Sequence, residues 1–106
     1  MKWKYKINLP NVNPQLIHHT QMYIDSEIIR RSDPRVPFKT GNLKRSGILG
    51  TRIGTGVIQY TAPYAKIQYL NGRSNGQRGR KWTRRTWISD GKTILRNAQK
   101  IINGGR

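Results

Sequence analysis

Six cations, Arg73, Arg78, Arg80, Lys81, Arg84 and Arg85, fall within residues 71 to 85, together with Gly72, Gly76 and Gly79 and no acid. Cations at this density neutralise phosphates and release their counterions, and Trp82 beside them offers a ring on which a base could stack. The composition predicts a mobile basic arm that rejoins the fold at Trp82. Its ligand is either DNA or the acidic surface of a neighbouring protein, since both use the same charge complementarity.

Groups for acid–base or metal chemistry are sparse. The acids are Asp25, Glu27, Asp33 and Asp90, and the imidazoles are the adjacent His18 and His19. Asp25 and Glu27 share a predicted helix, Asp33 lies at its stop and Asp90 belongs to another helix, so no pair has the spacing of an acid and a base acting on one bond. Consecutive histidines on a helix point about 100° apart, and a tetrahedral zinc site would have to recruit most of the acids. With no cysteine, a disulfide framework, a thiolate metal site and a cysteine nucleophile are excluded. No catalytic, metal or cofactor-binding residue is therefore expected, and the chain reads as a non-enzyme without a cofactor. The enzymatic alternative is a ribonuclease or toxin-like protein with His18 or His19 as general base.

These groups need a scaffold, and the scaffold is small. The 106 residues carry 21 Lys+Arg against 4 Asp+Glu, a formal net charge of +17. Such a charge repels itself in the compact state. A hydrophobic content of 34% and eleven glycines allow one domain, residues 1 to 106, with a core that association would support. No apolar run approaches the roughly 20 residues that span a bilayer. Met1-Lys2-Trp3-Lys4-Tyr5-Lys6 lacks the apolar stretch of a secretory signal, so synthesis in a reducing cytoplasm is expected.

Residues 2 to 9 alternate Trp3, Tyr5, Ile7 and Leu9 with Lys2, Lys4, Lys6 and Asn8, the pattern of a strand with one buried face and a lysine-protected other. Pro10 ends it. Asn13-Pro14 then reads as a helix cap and first turn. Leu16, Ile17, Thr20, Tyr23, Ile24 and Ile28 support a helix over about 14 to 32, stopped by Asp33-Pro34. Glu27 and Arg31 stand in the favourable order for a surface pair. Thr40 to Gly47 reads as a short capped turn closed by glycine. Ile48–Ile53 and Val57–Thr61 flank Gly54-Thr55-Gly56 like the strands of a hairpin. The glycine turn lacks the Gly-Lys-Ser/Thr ending of a phosphate loop. Ala65 to Leu70 is a helical turn with Tyr64, Ile67 and Leu70 inward. Trp87, Ile94, Ala98 and Ile101 mark an amphipathic helix over about 83 to 103 that stops at Gly104-Gly105, with Gly91 implying close packing or a frayed first turn. The expected fold is α+β: one small antiparallel sheet packed against two main helices, with a long basic loop.

Three segments also carry a family resemblance. Val36-Pro37-Phe38-Lys39-Thr40-Gly41-Asn42-Leu43-Lys44-Arg45-Ser46-Gly47 resembles a signature segment of the small minor capsid proteins of long-tailed bacteriophages, relatives of the tail-completion proteins that join head to tail. Val57 to Tyr69, with its Pro63-Tyr64-Ala65 turn, looks like that family's next block, and Lys81-Trp82 looks like the Lys-Trp near its last helix. The resemblance implies a non-catalytic virion protein that forms a hexameric or dodecameric ring in the neck. Its partners would be neighbouring connector, portal-side and tail-tube proteins, with nonspecific contact to DNA and none to a membrane. Val36, Pro37, Thr40, Gly41, Asn42 and Leu43 would form the first signature turn, Pro63, Tyr64 and Ala65 the second, and Trp82 the anchor. The family often carries an acid shortly after that tryptophan, where this chain has Thr83-Arg84-Arg85. Here the basic loop would face the acidic rim of a neighbouring ring or the DNA passing through the neck. The alternative without the resemblance is a free-standing, nonspecific nucleic-acid-binding module.

Overall fold

Periodicity and proline placement set the two long helices. The fold is described from a computed structural model, which covers residues 1–7, 14–37 and 41–104; the expectations for Asn8, Leu9, Pro10, Asn13, Phe38, Lys39, Thr40 and Gly105 lie outside the described residues. Helix α1 spans Pro14–Ser32, and Pro34 sits in the 3-10 turn Asp33–Arg35 that follows, because proline has no N–H to continue the α ladder and restricts the residue before it. Helix α4 spans Trp82–Ile102. Thr20, Ile24, Ile28 and Ser32 on α1 and Thr83, Thr86, Gly91, Ile94 and Ala98 on α4 are buried, and the two helices form the most extensive contact between elements. Each isoleucine so removed from water contributes about 1.5–3 kcal/mol. A Cβ at Gly91 would stand 3.3 Å from the Trp87 ring, so close packing explains this glycine and offsets its helix cost of about 1 kcal/mol.

The sheet has two short strands. Strand β1 (Lys2–Lys4) pairs antiparallel with β2 (Val57–Gln59) in the register Lys2 to Gln59, Trp3 to Ile58 and Lys4 to Val57. Met1 extends this ladder, its terminal ammonium donating to the Tyr60 carbonyl and its own carbonyl accepting from the Tyr60 N–H, both at 2.9 Å. The expected alternation holds through residue 7: Trp3, Tyr5 and Ile7 are half-buried and Lys2, Lys4 and Lys6 exposed. With helices packed on this antiparallel pair, the fold is α+β.

Two local expectations are corrected. Ile48, Leu49 and Gly50 lie in helix α2 (Asn42–Gly50), so β2 has no hairpin partner on its N-terminal side and pairs instead with the start of the chain. The glycines explain why. A Cβ at Gly47 would lie 2.3 Å from the Tyr60 ring, and one at Gly50 would lie 2.8 Å from the Gln59 carbonyl, so α2 presses a flat glycine face on β2 and its continuation. One rung of the missing hairpin is imitated by the Thr51 hydroxyl, which accepts from the Gln59 N–H at 2.9 Å and donates to its carbonyl at 3.3 Å. In helix α3 (Ala65–Asn71) the inward residues are Ala65 and, half-buried, Tyr69; Tyr64, Ile67 and Leu70 face solvent. The Tyr69 ring meets the Trp82 ring edge-on with centroids 4.8 Å apart, and this aromatic contact fixes which face of the short helix turns inward.

Candidate assembly surface and basic cleft

The residues singled out in the sequence divide between the buried core and one groove. Val36, Leu43, Ala65 and Trp82 are buried in the core. Trp82 is met edge-on by Tyr60 at 5.2 Å and by Tyr69 at 4.8 Å. Gly41 precedes α2 with φ of +81°, a left-handed conformation that glycine adopts at no steric cost. Pro37, Gly41, Asn42, Leu43 and Tyr64 line a groove of about 840 Å³, whose far wall includes Arg73 and Arg78. Pro63 is exposed in the turn before α3. Thr40 lies outside the described residues. The two helices that these turns introduce carry apolar side chains outward: Ile48 and Leu49 on α2, Ile67 and Leu70 on α3, with Leu49 83% exposed.

The segment expected to be mobile is tied to the fold at many points, and its last four residues belong to α4. A turn closes on itself through Asn75 N–H to Arg78 O at 2.7 Å and Arg78 N–H to Asn75 O at 3.0 Å. The Gly79 N–H donates to the Arg35 carbonyl at 2.9 Å, and the Lys81 N–H to the Tyr69 carbonyl at 2.8 Å. The Tyr69 hydroxyl accepts the Arg84 N–H at 3.3 Å, which satisfies one of the donors a helix start leaves unpaired. Two guanidiniums act as struts. Arg78 donates to the Asp33 and Val36 carbonyls at 3.1 and 2.7 Å. Arg85 donates to the carbonyls of Arg80, Gln77 and Arg35 at 2.8, 2.9 and 3.3 Å. The result is a second cleft, of about 340 Å³, lined by Ser74, Arg78, Arg80, Lys81, Arg84 and Arg85 among others, with no carboxylate in its lining. Arg80, Lys81 and Arg84 are exposed there.

The acids are dispersed, each in its own setting. Glu27 takes a two-pronged bond from Arg30 at 2.7 and 2.8 Å and a third from Arg31 at 3.3 Å. The Arg30 bond, seconded by Arg31, holds its carboxyl below the usual range. Burial alone would raise Asp90, but the Ser89 hydroxyl, Arg31 at 3.4 Å and Arg35 at 3.6 Å outweigh it and hold its carboxyl low. Asp33 is pushed up by burial, which the Lys44 ammonium at 3.6 Å only partly offsets. The expected Glu27–Arg31 pair is thus present, and Arg30 is the closer partner.

Sequence reasoning missed the role of Asp25. This carboxylate is fully buried and accepts from the Tyr5 hydroxyl at 2.5 Å, Gln21 Nε2 at 3.3 Å and the backbone N–H groups of Gly54 and Gly56 at 2.8 and 3.1 Å. Gln21 also donates to the Tyr5 hydroxyl. Burial and the neighbouring carboxylate together push the Tyr5 phenol far above its ordinary value. Gly54 and Gly56 have φ of +101° and +75°, and their N–H groups, on either side of Thr55, converge on the same carboxylate oxygen, as backbone donors hold an anion in a turn. The glycine turn does bind an anion, and that anion is the chain's own. The signal was present in the sequence: an aspartate beside Ile24, on the face that carries Ile28 and Ile29.

His18 and His19 are both exposed. Among the described residues no three His, Cys, Asp or Glu side chains gather as a metal site, and no helix is long and apolar enough to cross a membrane. Comparison with protein-family models, curated proteins and solved structures finds no match for the chain.

Proposed function

We propose that this chain is a structural protein of the bacteriophage neck, a minor capsid or tail-completion subunit that assembles as a ring between portal and tail tube. The observation that carries the reading is the convergence of its signature segments. Pro37, Gly41, Asn42, Leu43 and Tyr64 line one groove, and Leu43, Ala65 and Trp82 belong to the core. Segments brought together in this way would build one contact face. Support also comes from the exposed aliphatic side chains on α2 and α3, since exposed apolar groups mark surfaces that partners cover. The ring form, of six or twelve subunits, would supply the burial that a small and highly charged core lacks.

Cryo-electron microscopy of the virions that carry this chain is the test. A ring of it between portal and tail tube is expected, and its absence from the neck overturns the reading. A biochemical arm uses Leu49→Asp with Ile67→Asp. Because both side chains are exposed, the fold should change by less than about 0.5 kcal/mol, while assembly into particles or rings should be lost.

The second reading is a free-standing nucleic-acid-binding module, favoured by the acid-free basic cleft. It predicts DNA affinity that falls steeply with salt, and undetectable binding at low salt removes it.

A further inference from the structure

The cations of the basic segment divide into two groups by what they touch. Arg78 and Arg85 spend their guanidinium donors on backbone carbonyls from Asp33, Arg35, Val36, Gln77 and Arg80. Those bonds hold the walls of the 340 Å³ cleft in place. Arg80, Lys81 and Arg84 line the same cleft, are exposed, and meet no carboxylate among the described residues.

We infer that this cleft takes the phosphate backbone of a nucleic acid, with Arg80, Lys81 and Arg84 as the contacting cations and Arg78 and Arg85 as the residues that position them. Charge density decides between nucleic acid and an acidic protein surface. Three outward cations share one small concavity, and an anion that satisfies them together must present charges at short, regular intervals. Duplex DNA does so, with one negative charge per roughly 1.7 Å of axis. Arginine forks match phosphate oxygens two at a time, and the ammonium of Lys81 adds a point charge. The contacts are to phosphate alone, so they position a strand without reading its sequence.

This inference gives the basic segment of the proposed neck protein its ligand, and its test uses the purified chain, so it stands or falls separately from any ring in virions. Binding of a mixed-sequence duplex and of a single strand is measured by fluorescence anisotropy from low to moderate salt. Arg80→Gln, Lys81→Gln and Arg84→Gln combined are expected to reduce the slope of log K against log salt by about 2 to 3, about one per phosphate contact. The control is Lys92→Gln, Arg96→Gln and Lys100→Gln, the same charge change at exposed positions farther along α4, and it should leave the slope nearly unchanged. Equal loss from both variants means that only the total charge matters, and overturns the inference. So does poly-glutamate that competes as well as a duplex of equal charge, which would assign the cleft to an acidic protein. If the triple variant melts early by circular dichroism, Arg80→Gln and Arg84→Gln singly carry the test, each expected to lower the slope by about one.

Discussion

Where α1 and the turn after it meet α4, Arg31 and Arg35 are held by the Asp90 carboxylate at 3.4 and 3.6 Å, whereas in the 71–85 segment Arg78 and Arg85 are held by backbone carbonyls. Both arrangements fix a guanidinium in space. A carboxylate also cancels the charge, while a carbonyl dipole satisfies donors and leaves the charge standing. The seam therefore offsets part of its charge, with Arg30, Arg31 and Arg35 set against the carboxylates of Glu27 and Asp90, whereas no carboxylate lines the cleft of the basic segment. A chain with four acids for 21 cations cannot neutralise everything, and only Asp90 among its acids bridges the two long helices.

The contrast can be broken at the residue that joins the two regions. Trp82 is fully buried and begins α4 within the basic segment, so Trp82→Ala should cost about 3–5 kcal/mol by urea denaturation. A loss below about 1 kcal/mol would mean that the segment and the core are not coupled there. Next in size is Asp25→Ala, which leaves two backbone N–H groups and the Tyr5 hydroxyl without their acceptor. A cost of about 2–4 kcal/mol is expected, with hydrogen exchange rising first at Gly54 and Gly56.

Smaller effects test the seam by pH. The folded pKa of Glu27 is held down by Arg30 and Arg31, and that of Asp90 by the Ser89 hydroxyl with Arg31 and Arg35, below unfolded values of about 4.3 and 3.9. Their contribution is therefore present above those unfolded values and is lost as pH falls through the folded ones. Asp33 has the opposite sign: burial raises it, so its ionised form costs stability at neutral pH and that cost disappears on acidification. Asp90→Asn should lower stability by about 0.5–1 kcal/mol at pH 7, with the difference from wild type shrinking towards pH 3. A difference that is constant with pH would show that the pair does not carry the effect. The smallest expected change is in the cleft itself. Neutralising Arg80, Lys81 and Arg84 should alter the melting free energy by less than about 0.5 kcal/mol, because these exposed side chains meet no carboxylate among the described residues. A large loss would make them structural and erase the contrast with the seam.

Legibility followed the range of the interactions. The span of α1 was readable from Pro14, Asp33-Pro34 and the apolar spacing between them, and that of α4 from its spacing and closing glycines, because helix signals are local. Ile48-Leu49 was not, since a short apolar run reads equally as strand or helix. Its state depends on Gly47 and Gly50 fitting the Tyr60 ring and the Gln59 backbone, contacts 9 to 13 residues away. The inward face of α3 was misread for the same reason, because Tyr69 turns to meet Trp82 from across the basic segment. Of the candidate site, the basic cluster and Trp82 as its anchor were visible in composition. The division of the cations into struts and contacts was not, because it depends on carbonyls of residues 33 to 36 brought alongside by the fold.

What the sequence determined alone was the net charge, the two long helices, the lysine-edged alternation of the first strand and the concentration of cations on either side of Trp82. These depend on residue type and on spacing within a few turns. Tertiary structure alone decided that β2 pairs with the N-terminus, that the Gly54–Gly56 turn closes on Asp25, and that Arg80, Lys81 and Arg84 line one cleft without a carboxylate among the described residues. Each of those outcomes is a choice among distant partners. It is settled by which buried polar groups must be satisfied together, and no local pattern encodes that condition.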